Sequence, residues 1–280
     1  MPSRFLRSLV AVFILGLVCA ASAAAVEVNF DGKVLRYREH GWENGGFGFG
    51  LAPPKAPTHI RIGAYSHSLP AVHVGFGCQR QIHPDPNSFD LRCPFGTVPP
   101  SRIRYRLSLG GDWDNVTITT PSFRGVIYAG VESDAVYGGD RVYGGPGGDD
   151  WLEGNRVYGG TGNDSLWGSS AASVLYGGPG NDDFEGSGRF FGGPGDDRLD
   201  ENYNDADPAA RDMLVGGRGH DRIQLDTDHR RDVIDLHGLG TDRVICDEPA
   251  DRVDVLFIDR TDNLDANCWR ATVRLADRPR

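Results

Sequence analysis

Six stretches in the second half of the chain repeat one arrangement of glycine and aspartate. Residues 144–152 read GGPGGDDWL, 159–168 GGTGNDSLWG, 177–186 GGPGNDDFEG, 192–200 GGPGDDRLD, 216–225 GGRGHDRIQL and 237–245 HGLGTDRVI. Five fit G-G-x-G-x-D-x-U-x, where U is a large apolar residue and Trp151 fills that place in the first copy; the sixth lacks only the first glycine. A degenerate copy falls at 110–116 (GGDWDNV), with Asp114 near the acid position and Trp113 in place of a glycine. The sixth-position acids are Asp149, Asp164, Asp182, Asp197, Asp221 and Asp242.

A single aspartate in a glycine-rich turn is usually a solvated Asx-turn residue. Glycine and aspartate kept in phase over successive copies instead imply stacked, equivalent turns. Glycines at the first, second and fourth positions permit φ > 0 and close approach of neighbouring coils, which turns carbonyl oxygens into a shared groove. Carbonyls and carboxylates are the hard oxygen ligands that calcium gathers in sets of about six to eight. The motif carries no recurrent sulfur or imidazole, so zinc and copper fit it poorly. Stacked strands lie ~4.8 Å apart, and unit charges at that distance repel by about 3.5 kcal/mol at an effective dielectric of about 20. Such a column therefore calls for cations between its layers.

The elements that would position the acids follow from the spacing. Successive acids are separated by 15, 18, 15, 24 and 21 residues, one coil per repeat with insertions in the longer ones. Apolar pairs or triplets precede the turns, as at Val142 and Tyr143, Val157 and Tyr158, and Phe190 and Phe191. A coil thus reads as strand, glycine turn with aspartate, strand, then a variable turn. Leu166, Phe184, Leu199 and Ile223, at the eighth position, are core residues. The fold class is all-β, a parallel β-helix or β-roll preceded by a small β-rich region.

These segments resemble RTX (repeats-in-toxin, hemolysin-type) calcium-binding repeats. The resemblance implies a right-handed parallel β-roll with ions held between successive glycine turns. It implies ligand carboxylates at Asp149, Asp164, Asp182, Asp197, Asp221 and Asp242. It further implies main-chain oxygens from the turn residues Gly145, Gly147, Gly160, Gly162, Gly178, Gly180, Gly193, Gly195, Gly217 and Gly219. The second turns here mostly lack the aspartate that family members carry there, so a single row of ions is expected. The resemblance covers roughly residues 137–246.

Outside the repeats, Arg4 and Arg7, an apolar run over 9–20 and small residues over 21–25 form an export signal, with cleavage near residues 23–25. The run is shorter than the ~20 residues a membrane span needs. Losing two arginines moves the charge from −10 to −12 (27 basic against 39 acidic). That balance disfavours nucleic acid and anionic membranes as partners and favours metal cations. Cys78, Cys93, Cys246 and Cys268 remain, an even number that points to two disulfides in an exported chain. Three pairings are possible; Cys78 with Cys93 and Cys246 with Cys268 close short loops, each worth about 3 kcal/mol in the chain-entropy account.

The expected organisation is a signal peptide at 1–25, a β-rich domain at 26–120, the calcium-binding roll at 121–246 and a C-terminal β cap at 247–280. The apolar segment within 251–262 reads as an edge strand covering the last coil. His59, His67, His73 and His83 match no compact zinc motif, and Trp42, Phe47 and Phe49 read as sheet-packing aromatics. No H-E-x-x-H and no G-x-S-x-G occurs, which argues against an appended protease or lipase. The expected function is calcium binding in a secreted, non-enzymatic structural or interaction protein. An exported hydrolase, or an adhesin whose region 26–120 recognises cell-surface glycan or protein, is the alternative.

Overall fold

A computed structural model describes residues 26–39, 45–51, 59–66, 72–75, 77–81, 88–110, 113–118, 124–148, 150–201, 211–225, 232–246, 255–268 and 273–275. Residues 1–25, expected from the sequence to be an export signal, lie outside these residues, as do Asp149, Trp42, His67 and His83. Within them the chain is built almost wholly of β-strands, and the repeat half is a two-faced parallel roll.

The first face stacks Arg104–Ser108, Arg124–Tyr128, Arg141–Pro146 and Arg156–Thr161 in parallel, and the last parts of the long strands Ser165–Tyr176 and Asp183–Pro194 continue it. Met213–Arg218, Val233–Asp235, Val255–Ile258 and Val273–Leu275 complete that face. The second face runs from Asp114–Ile118 through Ala135–Tyr137 and Trp151–Glu153 to Arg243–Cys246 and Asn263–Leu264. Each coil contributes one strand to each face. Both stacks stay in register across the longer coils, whose second-face strands end at Glu201, Leu225 and Cys246.

Alternation of side chains along a strand puts one apolar residue per strand inside, and the register stacks them into two columns. On the first face Ile127, Val142, Val157, Leu175, Phe190, Leu214, Ile234 and Leu256 lie one above another, all at 0% exposure. On the second, Leu152, Leu166, Phe184, Leu199, Ile223 and Val244 do the same. The predicted core residues Leu166, Phe184, Leu199 and Ile223 are therefore in place. Burying each such side chain contributes about 1.5–3 kcal/mol. Trp151 is a correction: it is 47% exposed, and Leu152 takes the interior place that the motif count gave to the tryptophan.

Outward positions on the first face carry a second stack. Tyr128, Tyr143, Tyr158, Tyr176 and Phe191 form a ladder of near-parallel rings with centroids 5.2, 4.7, 5.0 and 4.9 Å apart. Such offset-stacked pairs each add about 0.5–1.5 kcal/mol beyond burial.

The region before the repeats extends the roll. Val26–Phe30 and Val34–Glu39 form an antiparallel hairpin, and the second of these strands pairs in parallel with Arg104–Ser108. Gly45–Leu51 pairs antiparallel with His59–Ser66 and in parallel with Asp114–Ile118. Both faces of the first coil are thereby capped, which removes an exposed sheet edge. Cys78 is bonded to Cys93, and Cys246 to Cys268, the latter tying a second-face strand to the short 3-10 turn Ala266–Cys268. Both are the local pairings expected from the sequence. Among the described residues no helix is long and apolar enough to cross a membrane.

The turns are possible only because the fourth-position glycines leave room. Gly180 has φ +150°, and an added Cβ would lie 1.5 Å from the Gly162 carbonyl oxygen of the neighbouring coil. Gly180→Ala should cost more than about 3 kcal/mol, since neither backbone can move without shifting a coil. Gly32, at φ +87° with open space around it, should lose only about 1 kcal/mol on the same change. Urea denaturation of the two variants in calcium-containing buffer would measure the contrast, and equal losses would contradict the packing argument.

Candidate metal centre

The glycine turns deliver one aspartate per coil to a single column. Asp114, Asp134, Asp150, Asp164, Asp182, Asp197, Asp221 and Asp242 are all 5% exposed or less. Each backbone N–H donates to the Oδ1 of the aspartate one coil further along: Asp114 to Asp134 at 2.9 Å, Asp134 to Asp150 at 2.8 Å, Asp150 to Asp164 at 3.0 Å and Asp164 to Asp182 at 2.8 Å. The pattern continues from Asp182 to Asp197 at 2.9 Å, Asp197 to Asp221 at 3.0 Å, Asp221 to Asp242 at 2.8 Å and Asp242 to Asp262 at 3.1 Å. Main-chain bonds run beside it, as from the Ser165 N–H to the Asp150 carbonyl at 2.7 Å and from Asp183 to Asp164 at 2.8 Å. Aspartate suits the place because its short side chain reaches the next coil's amide.

The second carboxylate oxygen faces inward. The Oδ2 atoms of Asp182, Asp197 and Asp221 are buried and accept no hydrogen bond. They sit against the first glycine of their own repeat: a Cβ on Gly177 would lie 2.1 Å from Asp182 Oδ2 and 2.9 Å from the Gly192 carbonyl oxygen. At Gly192 the corresponding distances are 2.2 Å to Asp197 Oδ2 and 2.4 Å to the Gly216 carbonyl oxygen. The first glycine is thus kept small so that carboxylate and carbonyl oxygens can converge. All ten turn glycines assigned a ligand role have positive φ, from +89° at Gly147 to +150° at Gly180. The donor set is oxygen throughout, as a hard divalent cation requires.

Burial raises the column's pKa values. Asp182 and Asp197 are each pushed up to about 7, chiefly by loss of water and further by the charge of neighbouring column acids. Asp242 reaches about 7 and Asp221 about 6 for the same first reason. A column of this kind needs protons or cations to compensate its charge.

The structure brings Asp164, Asp182, Asp197, Asp221 and Asp242 together as the motif predicts. The position counted as Asp149 is held in the column by Asp150, Asp149 itself lying outside the described residues. This turn holds one residue more than its neighbours. Gly147 keeps the backbone bond to Thr161 at 2.7 Å, while the Gly148 carbonyl takes the place beside Gly162. The column also passes both expected boundaries of the roll, through Asp114 at one end and Asp262 at the other. The segment read as an edge strand therefore leads into a further coil.

Sequence reasoning missed the turn on the opposite side. The Gly188 N–H donates to Asp212 Oδ1 at 2.6 Å, and the Asp212 N–H donates to Asp232 Oδ1 at 2.9 Å. Glu201, Asp212 and Asp232 are 4%, 1% and 3% exposed, with one carboxylate oxygen of each within 4.8 Å of the others. Their charge and oxygen chemistry could also hold a divalent cation. Each aspartate immediately precedes a first-face strand, a phase the glycine motif does not mark. Fifth-position residues form another short ladder: the Asn181 N–H donates to Asn163 Oδ1, Asp196 to Asn181 Oδ1 and His220 to Asp196 Oδ1.

Residues 158–188 match the RTX calcium-binding nonapeptide repeat family. Neither the comparison with curated proteins nor that with solved structures finds a match.

Raised pKa values fix a pH dependence in the absence of metal. A carboxyl with pKa near 4 unfolded and about 7 folded binds more protons when folded between those values, so its contribution is full below about pH 4 and is lost as pH rises through 7. In chelator, the midpoint of thermal unfolding should be highest near pH 5 and fall as pH rises, until near neutral pH little folded roll remains to melt; saturating calcium, which takes the ionised form, should restore a midpoint that varies little with pH. Calorimetry at several pH values decides it, and a calcium-free midpoint that rises with pH would refute the assignment.

Proposed function

We propose that this chain, which carries RTX calcium-binding nonapeptide repeats, binds calcium along the aspartate column and that binding and folding of the roll are one equilibrium. The observation that carries the reading is the set of buried Oδ2 atoms of Asp182, Asp197 and Asp221, which accept no hydrogen bond and sit against the first glycines of their repeats, with the Gly192 and Gly216 carbonyl oxygens close to the same space at Asp182 and Asp197. Asp164, Asp182, Asp197, Asp221, Asp242 and, in place of Asp149, Asp150 would supply carboxylates, and the turn glycines would supply main-chain oxygens. Calcium supplies the compensating charge; the chain supplies oxygens whose spacing is set by coil stacking. An ion at a thousand times its dissociation constant stabilises the folded form by about 4 kcal/mol per site.

The role is structural or interactive and not enzymatic, and the protein works outside the cytoplasm. Two disulfides support an oxidising location, where extracellular calcium is also abundant. The export segment at 1–25 would deliver the chain there unfolded, and calcium would fold it on arrival.

Calcium titration followed by circular dichroism and calorimetry tests this. In chelator, residues 137–246 should be largely disordered near neutral pH and should gain β-structure cooperatively with calcium, and much less with magnesium, which demands octahedral geometry. Replacing Asp164 and Asp182 with Asn keeps an oxygen for the amide of the preceding coil but removes charge, so the calcium midpoint should rise about tenfold. A metal-free spectrum already rich in β-structure and unchanged by millimolar calcium would sink the proposal.

A further inference from the structure

The first face of the roll carries a basic strip on an acidic protein. The strand register aligns Arg106, Val126, Arg141, Arg156, Val174 and Arg189 in one column, in which Val126 is half-buried and Val174 is buried. The next outward column is the aromatic ladder, so from Arg106 to Arg189 neither column contains an acid. All four arginines are exposed. Arg106 lies over the Tyr128 ring at 5.2 Å, and Arg141, Arg156 and Arg189 make no ion pair among the described residues. The chain as a whole has a formal charge of −10. The opposite face also has an arginine column, Arg198, Arg222 and Arg243, but it is shorter, and its first member is compensated: Arg198 pairs with Asp183 at 3.5 Å and with Asp200 at 2.6 Å.

We infer that this strip is a docking surface for a linear carboxylated polysaccharide lying along the roll axis. Three features select that occupant, and the inference goes beyond the calcium reading. Guanidinium forks match carboxylates in two-point geometry, and unpaired arginines on a rigid sheet are already spread for it. Their places fall on multiples of the ~4.8 Å strand spacing, close to the advance of one sugar along an extended chain. Face-to-face ring stacking occupies the ring faces and leaves edges and phenol groups toward solvent, with Tyr128 and Tyr176 37% exposed. That presents hydrogen-bonding groups for sugar hydroxyls and no apolar wedge for a bilayer. A single narrow chain touches the strip alone, whereas a broad polyanion would meet the surrounding acidic surface within a Debye length of about 8 Å.

The experiment uses the full chain in saturating calcium and galacturonate oligomers too short to gel, with binding read by calorimetry. Neutral galactose oligomers, single-stranded DNA and vesicles of phosphatidylglycerol with phosphatidylcholine are the comparators. Galacturonate should bind at least tenfold tighter than each of them, and binding should weaken with salt. The triple change Arg141→Glu, Arg156→Glu and Arg189→Glu should lower affinity at least tenfold while leaving the calcium midpoint and dichroism spectrum unaltered. Arg222→Glu with Arg243→Glu, on the other face, should lower it less than threefold. Should the triple variant fold poorly, Arg141→Gln with Arg156→Gln gives the same reading with no new charge. Undetectable galacturonate binding, equal losses from the two faces, or tighter binding of DNA or vesicles would each overturn the inference; a normal calcium titration alongside such a result would leave the calcium reading standing.

Discussion

One hydrogen bond, repeated from coil to coil, governs this molecule: a buried aspartate oxygen accepting the amide of the aspartate in the adjoining coil. It closes the glycine turn, sets the stacking distance and lines up the carboxylates. Because both partners are aspartates, the bond that orders the turns also concentrates negative charge. Parallel strand pairing and stacked apolar columns favour the coil spacing, and the carboxylate column opposes it. The balance between these is what a cation or a proton can tip, so the structural and the binding roles of the column cannot be separated.

Glycine is used here in two distinct ways. The fourth-position glycine yields to a backbone carbonyl of the adjoining coil, and the first-position glycine yields to the carboxylate of its own repeat. Neither constraint is absolute: His237 stands at the first position of the sixth copy, and Glu132 occupies a fourth position with φ +71°, the single non-glycine residue at positive φ among those described. Such a conformation costs a side-chain-bearing residue on the order of 1 kcal/mol, which one coil in a long stack can absorb.

Much of the column was legible in the sequence because glycine and aspartate share one frame in the central repeats. The first repeat failed for a physical reason: its turn is one residue longer, so a frame counted from the first glycine lands on Asp149 and Trp151. Counting back from Leu152, whose register partner is Leu166, reaches Asp150. Asp134 and Asp262 escaped because their coils place other residues at most of the positions where the motif wants glycine, leaving the acid and, two places on, an apolar residue that is buried at Val136 and partly buried at Leu264. Asp212 and Asp232 belong to turns built around variable insertions, where no fixed spacing exists to be read. The capping by residues 26–118 was invisible in any local pattern, because it depends on long-range parallel pairing such as Leu35 with Tyr105.

The aspartate ladder also has a polarity. Every amide in it leans on a carboxylate supplied by the coil that follows in the chain, never by the one before. The main-chain bonds beside it run the other way, the amides of Asp183, Arg198 and Arg222 donating to the carbonyls of Asp164, Asp182 and Asp197 in the coil before. Neighbouring coils are therefore locked by donors pointing in both directions, so trimming the roll from either end strands amides, and its rear is clasped besides by the Cys246–Cys268 bridge.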